Sequence, residues 1–425
     1  MLAYRIKNGV KTWLRRPWTF LRHLPDRLEL FGARILAKLF PRLFAIEHDR
    51  LYPPAKICTS TEWITNNKTG ISELRHVDTA CAIHIELPNT VHNGVRRQFL
   101  ADRDHSCPST FVVTIPNGRV WGEGFVISPD GQLLGDISID FLAANRRLHN
   151  VNMKWKLDKL IDYDCTVAVL STSGAMLYWH WIFQLLPRFE LIKLAGINID
   201  AIDFFVVNGL KSNFQIETLE ILGLGPERLI QSSNVPHLRA RRLIAPSVPL
   251  SHGCYRPWMV RFLRKSFLGD ENTTNISPRR RVYISRGMAK YRRVLNEASV
   301  IQFLRLHGFE EISLETISVR QQASVIAECE VIVAPHGGGL SNVVFCSSGT
   351  KVIEIFSPEL VAGYYWKLCN QLNLSYYYII GKANASTVDS NYQQTWNAMA
   401  DIEVDIGILA STLKMANVSK LASAA

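Results

Sequence analysis

The stretch Val331-Ile332-Val333-Ala334-Pro335-His336-Gly337-Gly338-Gly339-Leu340-Ser341-Asn342 decides how this chain is read. An apolar, β-branched run forms a buried strand, then a histidine and three glycines lead into a helix. Glycines let a backbone approach a ligand closely. The first turn of a helix adds N–H groups without intrahelical partners and the positive end of a dipole. The pattern reads as a cradle for a phosphate or diphosphate. It is not the dinucleotide G-x-G-x-x-G, and it lacks the Gly-Lys-Ser/Thr of a P-loop. The competing reading is a tight turn that needs positive φ.

Outward from this loop, strands alternate with helices. On the amino-terminal side come a strand at Arg281–Ser285, a helix at Glu297–His307, a strand at Glu310–Leu314 and a helix at Val319–Glu328. On the other side lies the strand Lys351–Phe356. Ser357-Pro358-Glu359 then supplies an N-cap, an N1 proline and an early acid for a helix to about Leu372, and the strand Tyr376–Ile380 follows. Farther upstream the same rhythm appears. The strand Cys165–Leu170 precedes a helix over Tyr178–Leu194 with a kink expected at Pro187, and the strand Asp203–Val207 precedes a helix closing at Gly223. Residues 110–135 read as strands and turns, and Ser251 to Pro278 as a domain link in which turn residues surround a short basic helix and a polar run precedes Pro278. The expectation is α/β, with a doubly wound sheet in each of two halves facing a cleft. The boundaries expected are a basic helical segment 1–50, a first half 51–255, a second half 256–390 and a tail 391–425.

The 425 residues are 47% hydrophobic and 20% charged, which excludes a disordered chain, and no apolar run approaches the eighteen residues of a membrane span. Eight cysteines are scattered without a C-x-x-C pair. That spacing excludes a zinc finger and argues against a disulfide framework, favouring a reducing compartment. The net charge of +11 is concentrated: residues 1–42 hold ten Lys/Arg against Asp26 and Glu29, and the other 383 residues carry only +3. Arg34, Lys38 and Arg42 share one helical face, with Phe31, Ile35 and Leu39 on another. Two readings stay open for this segment: peripheral contact with a membrane surface, or a helix laid on the main body. Nucleic-acid binding is disfavoured because the charge is local.

Beside the glycine loop, three features carry chemistry. Arg286 follows a strand at the sheet edge where ligands bind, and a guanidinium there can clamp phosphate oxygens; Arg279 and Arg280 read as solvated. Glu354, an acid within an apolar strand, is placed to accept ribose hydroxyls, with a structural salt bridge as the alternative. His180, in Tyr178-Trp179-His180-Trp181, is a candidate general base or a satisfied core histidine. Asp162-Tyr163-Asp164 resembles a metal-binding D-x-D but is read as a loop.

In order and spacing, Tyr283-Ile284-Ser285-Arg286, Arg293-Val294-Leu295-Asn296-Glu297, the loop Pro335–Asn342 and Gly349-Thr350-Lys351-Val352-Ile353-Glu354 resemble glycosyltransferase family 61, over roughly residues 165–380. The helix Trp179-His180-Trp181…Leu186-Pro187-Arg188 is similar to the family's upstream motif. The resemblance implies a GT-B-like fold, two Rossmann-like domains across a cleft, and an inverting, metal-independent transfer from a nucleoside-diphosphate sugar. A UDP-sugar is the expected donor, with no other cofactor. His180 would be catalytic. Arg286, Arg293, His336, Gly337, Gly338, Gly339, Ser341, Asn342 and Glu354 would bind the donor. The acceptor would be a glycan or lipid-linked saccharide in polysaccharide biosynthesis, the setting a bacterial-type cytoplasmic enzyme, peripheral on the inner membrane face. The stretch Trp396–Ala425 would return to the first half. One departure matters: many members carry an acid where this chain has Gln184. A catalytically silent nucleotide- or glycan-binding protein on the same fold is the alternative.

Overall fold

The computed structural model describes residues 53–54, 56–67, 72–140, 151, 154, 156–250, 253–269, 279–383 and 400–420. The basic segment 1–42 lies outside them. Among the described residues no helix is long and apolar enough to cross a membrane.

The first sheet is built from β1 (Lys56–Cys58), β2 (Glu73–Asp78), β5 (Thr110–Pro116), β6 (Arg119–Trp121), β7 (Phe125–Ile127), β8 (Gln132–Leu134), β9 (Ile161–Val169), β10 (Phe204–Val207), β11 (Leu229–Gln231) and β12 (His237–Pro246). A separate hairpin pairs β3 (Cys81–His84) with β4 (Asp104–Cys107). Strands β11, β10, β9 and β12 run parallel in that order, an arrangement that reverses direction between β9 and β12. The sheet is mixed rather than purely doubly wound, because β12 is ten residues long. Its other edge takes β6 and then β5, both antiparallel.

The second sheet is wholly parallel: β13 (Arg280–Ile284), β14 (Phe309–Ile312), β15 (Cys329–Pro335), β16 (Lys351–Phe356) and β17 (Ser375–Ile380), in the order β14-β13-β15-β16-β17. The winding therefore changes direction between β13 and β15. Open α/β sheets bind ligands at such a point, beyond the carboxyl ends of the strands.

One apolar core runs through both halves, joining Phe183 and Phe189 of the first to Ile332, Val343 and Phe356 of the second. The helix Pro257–Leu268 packs on the helix Leu186–Leu194 and on the helix Val319–Ala327. Residues near 85–102 also lie against the second sheet. Asn89 bridges to Tyr377, and buried Phe99 meets Trp366 at 5.2 Å and Tyr378 at 4.8 Å.

Several expectations are corrected. Asp162-Tyr163-Asp164 is strand, not loop: both acids lie on β9 and pair with Arg239 and Arg241 of β12. The helix expected from Ser357 starts at Tyr364, with Gly363 at its N-cap. Ser357 is buried and instead closes a turn, its carbonyl accepting from Leu360 N–H at 3.1 Å. The helix Ile406–Met415 packs Leu409 and Leu413 against Ile353 and Ile379 of the second sheet, rather than returning to the first half. Cys107 and Cys254 form a disulfide between residues 147 positions apart, against the expectation from cysteine spacing. Pro187 produces no simple kink either. Trp181–Leu185 is a π-helical turn between the α-helices Tyr178–His180 and Leu186–Leu194, and Leu186 N–H bonds to Trp181 O. The wider turn accommodates a ring that would clash with an ordinary helix and a residue that has no N–H to donate.

Candidate active site

Strands β13 and β15 are hydrogen-bonded neighbours, so the segments that leave their carboxyl ends lie together. Arg286 leaves β13 and His336-Gly337-Gly338-Gly339 leaves β15 at the point where the winding reverses. The Arg286 guanidinium lies across Gly337, where a Cβ would overlap its Nη1. Its partners are backbone carbonyls, Arg292 O at 3.2 Å and Tyr291 O at 2.9 Å, and among the described residues no carboxylate pairs with it. Arg292 adopts φ +53° and turns back into the same place: its Nε donates to His336 O at 3.1 Å, and its guanidinium rests on the Tyr291 ring at 4.9 Å. Burial pulls both guanidinium pKa values below their ordinary range, and Arg286 lowers that of Arg292 further. Two partly desolvated cations set at one loop favour an incoming anion.

The loop's glycines answer to close packing. None of Gly337, Gly338 and Gly339 lies in the left-handed region, Gly337 being extended, so the tight-turn reading does not hold. Besides the Arg286 contact, a Cβ at Gly339 would press on Leu314 and Ile284 at 3.2–3.3 Å. The 3₁₀-helix Gly338–Phe345 begins here, and its first N–H groups are those that a helix leaves without internal partners.

Not every residue expected at this site reaches it. Arg293 turns away and binds Asp401 through Nη2 at 2.7 Å, so the arginine that joins Arg286 is its neighbour, Arg292. Glu354 is fully buried and does not face a ligand. One oxygen takes His336 Nδ1 at 2.5 Å and the other the Tyr376 hydroxyl at 2.5 Å, so both oxygens have partners within the fold, as the structural alternative required. Its effect on the site is to fix His336, whose carbonyl receives Arg292. Asn342 also points inward. It accepts from the Tyr178 hydroxyl at 2.9 Å and donates to Gln322 and to Gly339 O. Ser341 is fully buried, against Tyr365.

The Tyr178–Asn342 bond brings the first half to the loop. Tyr178 opens the helix that carries His180, and its Cβ lies 3.6 Å from the place a Cβ on Gly338 would occupy. His180 Nδ1 meets Gln184 Oε1 at 2.6 Å, while Gln184 Nε2 donates to Leu250 O at 3.0 Å. A carbonyl can only accept, so the amide nitrogen faces Leu250 and the amide oxygen faces the ring. Nδ1 therefore carries the proton and Nε2 the lone pair. Burial holds the imidazole pKa below its ordinary value, opposed by the Gln184 hydrogen bond and the Glu123 charge. The ring is thus neutral at pH 7. Trp179 stands edge-on to it at 4.9 Å, between Tyr255 and Tyr364.

A cation-lined loop at one switch point, with a basic imidazole beside it, suits transfer of a group whose leaving portion is a diphosphate. Residues 178–353 match the family model Glycosyltransferase 61. The match starts at the residue that contacts the loop and ends one short of Glu354. Over 119 residues the chain is also 23% identical to the EGF domain-specific O-linked N-acetylglucosamine transferase of Drosophila melanogaster, an alignment covering 27% of this chain and 23% of that protein. Both findings support glycosyltransferase activity.

Proposed function

We propose that this chain is an inverting, GT-B-type glycosyltransferase that moves a sugar from a nucleoside-diphosphate donor, a UDP-sugar by preference, to a glycan or lipid-linked acceptor in cell-surface polysaccharide synthesis. The observation that carries the reading is the half-buried pair Arg286 and Arg292, the first lying over Gly337 and the second on the His336 carbonyl, with no carboxylate on Arg286 among the described residues. Their charge and the N–H groups of the loop meet the negative charge that grows on a departing diphosphate. His180 Nε2 takes the proton of the acceptor hydroxyl as that oxygen attacks the anomeric carbon, and the bond to the diphosphate oxygen breaks in the same displacement. Arginines in this role replace a divalent ion, so the reaction proceeds in chelator. The parallel run β11-β10-β9-β12 of the first sheet and the parallel second sheet, each changing winding beside one of these groups, support the two-domain arrangement.

The test is turnover of a UDP-sugar series with a saccharide acceptor in EDTA, the new anomeric proton being read by NMR. One transferred sugar with inverted configuration is expected, lost in His180→Asn. Because burial holds the imidazole pKa below its ordinary value, activity should persist at neutral pH and fall only at a lower pH than an exposed histidine would give. Retention of configuration, or a requirement for added metal, would contradict the mechanism.

A further inference from the structure

The neutral Gln184 fixes the His180 tautomer, but it cannot offset the charge the ring gains on taking a proton. A carboxylate acts on the ring from elsewhere. Glu123 sits in the turn Gly122–Gly124 between β6 and β7, and its Oε2 accepts the Gly174 N–H at 3.2 Å. Gly174 has φ +81° and lies directly against the imidazole: a Cβ there would stand 3.2 Å from both Cδ2 and Nε2 of His180. The turn is locked onto this loop by Gly124, φ +97°, whose missing Cβ leaves room for the Ser171 carbonyl. That carbonyl is also held by Nη1 of the buried Arg188 at 2.5 Å. Among the described residues, the side chains packed about the ring are neutral: Gln184 and Trp179 on its own helical run, and Tyr255 and Tyr364 beyond Trp179. Among the described residues, Glu123 is a charged group whose field acts on it.

We propose that Glu123 is the positioning carboxylate of His180: it holds the Gly174 backbone against the Nε2 edge of the ring and stabilises the imidazolium formed during transfer. The carboxylate absent at position 184 is thereby supplied from the β6–β7 turn. This rests on the reading of His180 as the base, yet its first test needs no substrate. Glu123→Gln keeps an oxygen for Gly174 N–H and removes the charge. In ¹³C-histidine-labelled protein, with His180→Asn identifying the resonance, the His180 imidazole should titrate at a lower pH in Glu123→Gln than in wild type. Glu123→Asp should restore part of the shift. With a working donor, Glu123→Gln should lower kcat about tenfold with donor KM unchanged, and move the acid limb of the pH profile to lower pH. An unchanged His180 titration in a variant that melts like wild type would overturn the role of Glu123. Full turnover in His180→Asn would instead overturn the base assignment, whatever the titration shows.

Discussion

At the scale of single residues, the site depends on one missing Cβ. Gly337 is extended, and its requirement is steric: a methyl group there would occupy the space of the Arg286 guanidinium. Gly337→Ala should therefore weaken nucleotide binding about as much as Arg286→Ala, and the double variant should lose no more than either alone, since both remove the same interaction. Additive losses in a double-mutant cycle read by calorimetry would show that the glycine serves something else. Sequence reading reached Arg286 and the glycines, because a strand followed by such a loop is a local pattern. It chose Arg293 where Arg292 is the partner. The two arginines are adjacent, and a backbone φ of +53° at Arg292 decides which one turns inward. No residue type at either position announces that. Glu354 was singled out correctly as an acid that needs a partner, but the partners come from β17 and the loop, and only the fold brings them to it.

At the scale of elements, strands buried on both faces were the most legible. Lys351–Phe356 was read at its observed bounds, as continuous apolar runs in a parallel sheet allow. Charged residues hid the start of β9, since Asp162 and Asp164 make sense as strand only beside Arg239 and Arg241. The link from Cys107 to Cys254 left no local mark, because its two ends are 147 positions apart. It ties the β3–β4 hairpin to the segment that carries Tyr255, the hydroxyl that receives Trp179 Nε1–H beside His180. Closing so long a loop should contribute about 4–5 kcal/mol through the unfolded state. Six of the eight cysteines should be alkylated in denaturant without reductant, and all eight with it. Cys254→Ser should lower stability by a comparable amount in urea titration. Eight reactive thiols without reductant, and no loss of stability in the variant, would remove the staple.

At the scale of the whole molecule, the two sheets share one core, and each contributes a switch point to the same region. Through Tyr178 and Asn342, the helix bearing His180 is bonded to the loop that meets Arg286. The alternation of strands and helices foretold two α/β halves. It did not foretell the antiparallel extension of the first sheet, which supplies the turn holding Glu123, nor the docking of Phe99 on the second. Both depend on contacts between segments far apart in the chain. The central claim is that Arg286 and the glycine loop form a diphosphate site. The most direct test is calorimetric titration of UDP, GDP, CDP and ADP, in chelator, into wild type and Arg286→Ala. The account predicts that one of these nucleotides, UDP by preference, binds wild type and that the variant loses about 2–5 kcal/mol of that affinity. Binding of none of the four to wild type, or equal binding to the variant, would contradict it.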